Sequence, residues 1–125
     1  MKKILVIEDD KLTRKTISYM LQKAMFEIFE AEDGEIGVSL ALKHLPDLIV
    51  SDFFMPNLTG LEVFEKILEH KSISNIPFIL LSGSKEYIKS GQELGIKYFL
   101  NKPFTYQELL GVLNKALDVE YNIVK

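Results

Sequence analysis

The chain has 125 residues, of which 47% are hydrophobic and 26% charged, the size and composition of one globular domain. Its 15 basic and 18 acidic residues give a formal charge of −3, so charge offers no basis for direct nucleic-acid binding by this domain. Cysteine is absent, and no stretch approaches the roughly 18 apolar residues of a membrane span, so we expect a soluble, cytoplasmic protein without disulfides, thiolate metal sites or membrane association.

Short apolar runs alternate with longer segments of helical period along the chain, a pattern typical of βαβ units around a parallel sheet. The predicted strands are Lys3–Ile7, Glu27–Ala31, Leu48–Ser51, Phe78–Leu81 and Tyr98–Leu100. The predicted helices run from Leu12 to Met25, from Asp33-Gly34 to Pro46, over Leu61–Leu68, over Lys85–Glu93, and onward from Thr105. The fold class is therefore α/β with five strands and five helices. We expect one domain over residues 1–119, with residues 120–125 as a C-terminal tail or the start of a linker.

Helical spacing also predicts which side chains face inward. In the third helix, Leu61, Phe64 and Leu68 are expected to face the core. The two histidines, His44 and His70, lie at polar helix ends, and we expect both to face solvent and to have no function.

Four of the predicted strands end in groups that suit phosphoryl transfer onto a carboxylate. Glu8-Asp9-Asp10 follows the first strand, Asp52 the third, Ser82 the fourth and Asn101-Lys102-Pro103 the fifth. Parallel strand ends share one edge of a sheet, where α/β folds bind their ligands. Converging carboxylates repel each other, and a hard cation such as Mg²⁺ relieves the repulsion. The acidic run could instead only complement the dipole of the next helix, which is the better explanation for Asp10.

The chain resembles the receiver domain of two-component response regulators over essentially its whole length. The motifs that carry the resemblance are Glu8-Asp9, Asp52-Phe53-Phe54-Met55-Pro56 with Gly60, Ser82, and Lys102-Pro103-Phe104. The resemblance implies a doubly wound, flavodoxin-like parallel sheet of strand order 2-1-3-4-5. It also implies a phosphorylation-dependent signalling switch, loaded by a histidine kinase or a histidine phosphotransfer protein that docks beside the first helix.

The resemblance further implies a role for each site residue. The implied catalytic residues are Asp52 as phosphoacceptor, Lys102 and Ser82. The implied Mg²⁺ ligands are Glu8 (through water), Asp9, Asp52 and the backbone carbonyl of Phe54. Ser82 and Phe99 are the implied switch residues, and the bond to Pro103 is implied to be cis. Chemically, a carboxylate that attacks phosphorus gains from in-line positioning and from nearby groups that neutralise charge.

Phosphorylation is implied to shift the face formed by the fourth helix, the fifth strand and the fifth helix. The candidate exposed apolar groups there are Tyr87, Ile88, Tyr98 and Tyr106. Homodimerisation through this face is left open, and the motifs do not identify the downstream effector.

Four positions depart from the common family pattern. Ser82 stands where threonine is more usual, Phe99 where tyrosine is frequent, and Ile96 where alanine is usual. Phe54 lies two residues after the phosphoacceptor, where family members tune the access of water. Our hypothesis is that its apolar bulk slows hydrolysis of the acyl phosphate.

Three other functions are alternatives to the switch. A degenerate receiver could act only as a docking module. A Mg²⁺-dependent aspartyl-phosphate phosphatase commonly carries a second carboxylate where this chain has Phe54. An FMN binder needs a phosphate loop that Glu8-Asp9-Asp10 would repel. We expect no enzyme acting on an external substrate, only catalysis of the chain's own phosphorylation and dephosphorylation.

Overall fold

Helices cover both faces of a five-stranded parallel sheet in the computed structural model of the chain, which describes residues 1–118. The strands are β1 (Lys3–Ile7), β2 (Glu27–Ala31), β3 (Leu48–Asp52), β4 (Phe78–Ser82) and β5 (Tyr98–Asn101). The helices are α1 (Lys11–Lys23), α2 (Gly34–His44), α3 (Gly60–Leu68), α4 (Lys85–Leu94) and α5 (Tyr106–Leu117). The spatial order is β2-β1-β3-β4-β5, which confirms the predicted fold class and strand order. The predicted boundary at residue 119 and the tail 120–125 lie outside the described residues.

The sheet separates two apolar cores, because alternate residues of a strand face opposite sides. Ile4 and Val6 pack on the side of α1 and α5, whereas Leu5 and Ile7 pack on the side of α2 and α3. Every residue of β3 and β4 is buried, as expected for central strands covered on both faces. These strands provide the fixed base on which the polar edge of the sheet is built.

Side chains cap the helix N-termini, where backbone N–H groups lack partners within the helix. Asp10 caps the N-terminus of α1, in agreement with the prediction that Asp10 interacts with the start of this helix. Thr59 and Thr105 cap α3 and α5, each in a reciprocal capping box with a glutamate, Glu62 or Glu108. The longest of these helices has 13 residues, and none within residues 1–118 is long and apolar enough to cross a membrane.

Several details of the sequence prediction are wrong. Helix α1 ends two residues before Met25, which adopts a left-handed φ of 71° that does not continue a helix. Leu68 is 46% exposed, and its neighbour Ile67 takes the buried position instead. His44 does not simply face solvent, because its ring stacks on Phe29 with centroids 4.0 Å apart.

Candidate functional site

The ends of four strands bring the predicted site residues to one edge of the sheet: β1 before Glu8 and Asp9, β3 with Asp52, β4 with Ser82 and β5 before Lys102. Strands β3 and β4 each run one residue further than predicted, so Asp52 and Ser82 are their last residues. Backbone pairing continues beyond them: Phe53 N–H donates to the Leu81 carbonyl, and Lys102 N–H donates to the Ser82 carbonyl, both at 3.1 Å. These backbone hydrogen bonds therefore fix the main-chain positions from which the Asp52 and Ser82 side chains extend.

An ionic cluster lies at this edge. The Lys102 ammonium is 2.6 Å from Asp52 Oδ1 and 3.2 Å from Glu8 Oε1. Glu8 and Asp52 are only 1% and 7% exposed, and buried carboxylates are costly without such partners. Glu8 also accepts a hydrogen bond from the Asp10 backbone N–H at 3.2 Å. The Lys102–Pro103 peptide bond is cis.

The acidic part of the cluster has the composition of a site for a hard cation. One carboxylate oxygen from each of Glu8, Asp9 and Asp52 lies within 4.8 Å of the other two. Three carboxylates beside one ammonium leave an excess of two negative charges when all are ionised. Oxygen donors and this excess suit Mg²⁺, so these residues fit the ion. The ligand role of the Phe54 carbonyl, in the loop between β3 and α3, stays a prediction.

The charges in the cluster perturb one another. Burial raises the pKa of Glu8 from 4.5 to about 7, and the negative charge of Asp52 adds to the rise. Burial lowers the pKa of Lys102, but its hydrogen bond to Asp52 and the charges of Asp52 and Glu8 outweigh burial and raise that pKa above 10.5. Lys102 is therefore an ammonium at neutral pH, while crowding favours the protonated form of Glu8.

Ser82 lies beside this cluster but bonds to its own loop. Its side chain is buried, and its hydroxyl donates to the Ser84 carbonyl and accepts from the Ser84 N–H, each at 3.1 Å. Ser84 in turn caps α4 through its own hydroxyl. A Ser82 hydroxyl that turned toward a phosphoryl oxygen would exchange these bonds and so disturb the start of α4.

A depression of about 510 Å³ opens beside Asp52. Its polar lining includes Asp52, Ser82 and Lys102, and its aromatic lining consists of Phe53, Phe54 and Tyr87. The sequence predicts Tyr87 only as a candidate exposed group, whereas in the structure it is half-buried and its ring stacks on that of Phe53, with centroids 3.8 Å apart. No local pattern predicts this contact, because it joins α4 to a loop more than thirty residues earlier.

Phe99 lies under α4 rather than in the pocket. It is half-buried in β5, and a Cβ added at Gly91 of α4 would lie 2.8 Å from its ring. The two predicted switch residues, Ser82 and Phe99, therefore both adjoin α4, one at its start and one beneath its middle.

The sequence matches the response regulator receiver domain family over residues 4–114. The chain belongs to this family. Receiver domains work with histidine kinases in two-component signalling.

Three similar proteins illustrate the relationship. "Histidine kinase P4" of Formosa agariphila is 40% identical over 107 residues, which cover 84% of this chain but 8% of the kinase. The chemotaxis protein CheY4 of Vibrio cholerae has a TM-score of 0.88 at 32% identity, covering 94% of this chain and 99% of CheY4. The receiver domain of the sensor histidine kinase PA1611 from Pseudomonas aeruginosa has the same fold (TM-score 0.87, 24% identity, covering 94% and 98%) and holds a magnesium ion in its active-site cleft.

The receiver spans only part of several curated relatives. Besides 8% of the Formosa kinase, it covers 53%, 45% and 52% of three further regulators. The activities of those longer proteins are therefore not assigned to this chain.

Proposed function

We propose that this receiver is a phosphorylation-dependent switch in which Asp52 accepts a phosphoryl group from a histidine kinase or a histidine phosphotransfer protein. The observation that carries the proposal is the Lys102 ammonium, 2.6 Å from the Asp52 carboxylate and next to a cluster of acidic oxygens. In the reaction, an Asp52 oxygen bonds to phosphorus while the bond from phosphorus to the histidine nitrogen breaks. The receiver catalyses only this transfer and the later hydrolysis of its own acyl phosphate.

Each site residue has a defined part in the proposal. Lys102 and the Ser82 hydroxyl stabilise negative charge on the transferring phosphoryl oxygens. Mg²⁺, held by Asp9, Asp52 and the Phe54 carbonyl directly and by Glu8 through water, would neutralise further charge there. The backbone ladder of β3 and β4 holds the main chain at Asp52 and Ser82 in place, so the Asp52 carboxylate needs little reorganisation when the donor arrives, whereas the Ser82 hydroxyl must leave its bonds to Ser84.

The donor would dock beside α1. A largely apolar groove of about 480 Å³ lies between α1 and the loop after β5. It is lined by Leu12, Ile17, Met20, Lys102, Pro103 and Phe104, among others, and Leu12 is 77% exposed. Because Lys102 belongs to both the groove and the ionic cluster, a protein seated in the groove would lie next to Asp52. The proposed setting for this encounter is the cytoplasm.

The output would arise at α4, β5 and α5. A phosphoryl group adds close to two negative charges and several acceptor oxygens, which attract the Ser82 hydroxyl away from its loop. Phe99 would follow into the space that opens, which biases an existing equilibrium between two arrangements of α4. The altered face would bind a downstream effector or a second copy of the chain.

The complete ionic cluster gives the docking-only alternative no support, and Phe54 leaves a phosphatase without its second carboxylate. The decisive experiment is intact mass after incubation with Mg²⁺ and acetyl phosphate, a small acyl-phosphate donor. We expect one phosphoryl group on the wild type and on Asp118→Asn, an exposed control, and none on Asp52→Asn. If the wild type takes up no phosphoryl group and also fails to bind beryllofluoride, the chain is a docking module instead.

A further inference from the structure

Three aromatic rings stand together at the mouth of the Asp52 pocket. Tyr87, in the first turn of α4, lies face to face with Phe53, with centroids 3.8 Å apart and planes inclined by 11°. The Phe54 ring is nearly perpendicular to both, 4.8 Å from Phe53 and 5.1 Å from Tyr87. All three rings line the pocket that also contains Asp52.

Phe54 relies on these two rings for its position. It is 63% exposed, so the core does not enclose it, whereas Phe53 is 7% exposed and belongs to the core on the side of α2 and α3. Perpendicular aromatic pairs at these separations attract each other. Phe53 is therefore the fixed ring, and Tyr87 is the second support against which Phe54 rests.

The position of Phe54 matters for hydrolysis of an aspartyl phosphate. A water oxygen bonds to phosphorus as the bond from phosphorus to the Asp52 oxygen breaks, which yields the carboxylate, inorganic phosphate and one proton for solvent. The attacking water must approach in line, from the side of phosphorus opposite the Asp52 oxygen, and so through the pocket that Phe54 lines. An aromatic ring there occupies space that water needs and offers no group that could orient or deprotonate it.

We propose that Tyr87 is a positioning residue that holds Phe54 across the mouth of the pocket and so prolongs the life of the phosphoryl group on Asp52. This inference rests on the proposed function, because it concerns the same acyl phosphate.

The test follows the loss of the phosphoryl group by intact mass, at constant Mg²⁺, after the donor is removed. The variants are Tyr87→Leu, which keeps apolar bulk but removes the stack, Tyr87→Phe, which keeps the ring, and Phe54→Ala. We expect hydrolysis to be about two- to tenfold faster in Tyr87→Leu, the factor that corresponds to loss of one aromatic pair. Tyr87→Phe should decay like the wild type.

A double variant distinguishes positioning from a general loosening of α4. If Tyr87 acts through Phe54, Tyr87→Leu causes no further acceleration once Phe54→Ala is present; two factors that multiply would overturn the proposal. The matched control is Ile88→Ala, which alters the same turn of α4 at a residue outside the pocket lining. An equal acceleration in Ile88→Ala, or an unchanged rate in Tyr87→Leu, overturns the proposal as well.

The inference and the proposed function fail in different ways. A wild type that accepts neither a phosphoryl group nor beryllofluoride removes the proposed function, and the inference with it. A wild type that is phosphorylated normally, with a lifetime insensitive to Tyr87→Leu, removes the inference alone.

Discussion

Helices α3 and α4 follow neighbouring central strands but are held very differently. Helix α3 buries Val63, Phe64 and Ile67 and begins with a capping box. Within α4, which the structure describes in full, Gly91 alone is buried. Local stability follows the amount of buried apolar surface, so α3 is part of the fixed base and α4 can shift at small cost. The less buried helix is the one that follows Ser82, which is where the proposed switch would need it.

Core truncation should give the largest difference between the two helices. We expect Ile67→Ala in α3 to lower the free energy of unfolding by about 2–5 kcal/mol, because it leaves a cavity at a fully buried site. Ile88→Ala in α4 removes a half-buried side chain and should cost much less. Urea unfolding of both variants measures the two losses. Equal losses would contradict the idea that α4 is loosely held.

Titration tests whether the site charges act on the whole fold or on α4 alone. The pKa of Glu8 is about 7 in the folded protein and near 4.5 when unfolded, so between these values the folded state binds the extra proton. Stability of the metal-free protein should therefore fall as pH rises from about 4.5 to about 7.

The matched variant for this titration is Glu8→Gln, which should lack the decline. Urea midpoints across this pH range, in the presence of a chelator, measure the difference between variant and wild type. We expect a global effect, because Glu8 directly follows the central strand β1. If rising pH instead lowers only the amide-exchange protection of α4, protonation of Glu8 is coupled to the opening of that helix and not to global unfolding.

The N-caps offer a smaller and more local comparison. Thr59→Ala in α3 and Ser84→Ala in α4 each remove a cap worth about 1 kcal/mol. We expect the first loss to appear in global unfolding and the second mainly as faster amide exchange within α4, since α4 can open without unfolding the sheet. Hydrogen exchange of both variants measures this, and a global loss of similar size in Ser84→Ala would argue against separate opening of α4.

The smallest expected effects concern two helical glycines. A Cβ at Gly111 of α5 meets no atom within 4 Å, so Gly111→Ala should stabilise the fold by about 0.5–1 kcal/mol. A Cβ at Gly91 would lie 2.8 Å from the Phe99 ring, so Gly91→Ala must displace that ring or α4 and should lose the gain. Thermal unfolding of the two variants compares them. A similar gain in thermal stability in both variants would show that the Phe99 ring moves aside at little energetic cost.

The sequence was sufficient for those features that depend on local pattern. Apolar runs located all five strands, and the polar residues after them located the edge of the sheet where Asp52 and Ser82 lie. Strands β3 and β4 were each predicted one residue short, because a polar side chain ended the apolar run while the backbone pairing continued.

Features that depend on the approach of distant elements were not predictable. Leu68 fits a helical period, yet the packing of α3 buries Ile67 instead. The contact of His44 with Phe29 joins α2 to β2, and neither residue type signals the other. The roles of the site residues were assigned by resemblance, and they stay predictions until phosphorylation is measured.

If Tyr87 positions Phe54 as proposed, its location would link the lifetime of the phosphoryl group to the binding of an effector. The residue belongs both to the wall of the pocket that would hold the phosphoryl group and to the helix that would meet the effector. An effector that binds α4 and moves Tyr87 away from Phe54 would open the pocket to water. It would thereby shorten the lifetime of the phosphoryl group on Asp52. An effector that holds Tyr87 against Phe54 would lengthen the lifetime of the phosphoryl group. The effector itself would therefore control how long the receiver stays phosphorylated.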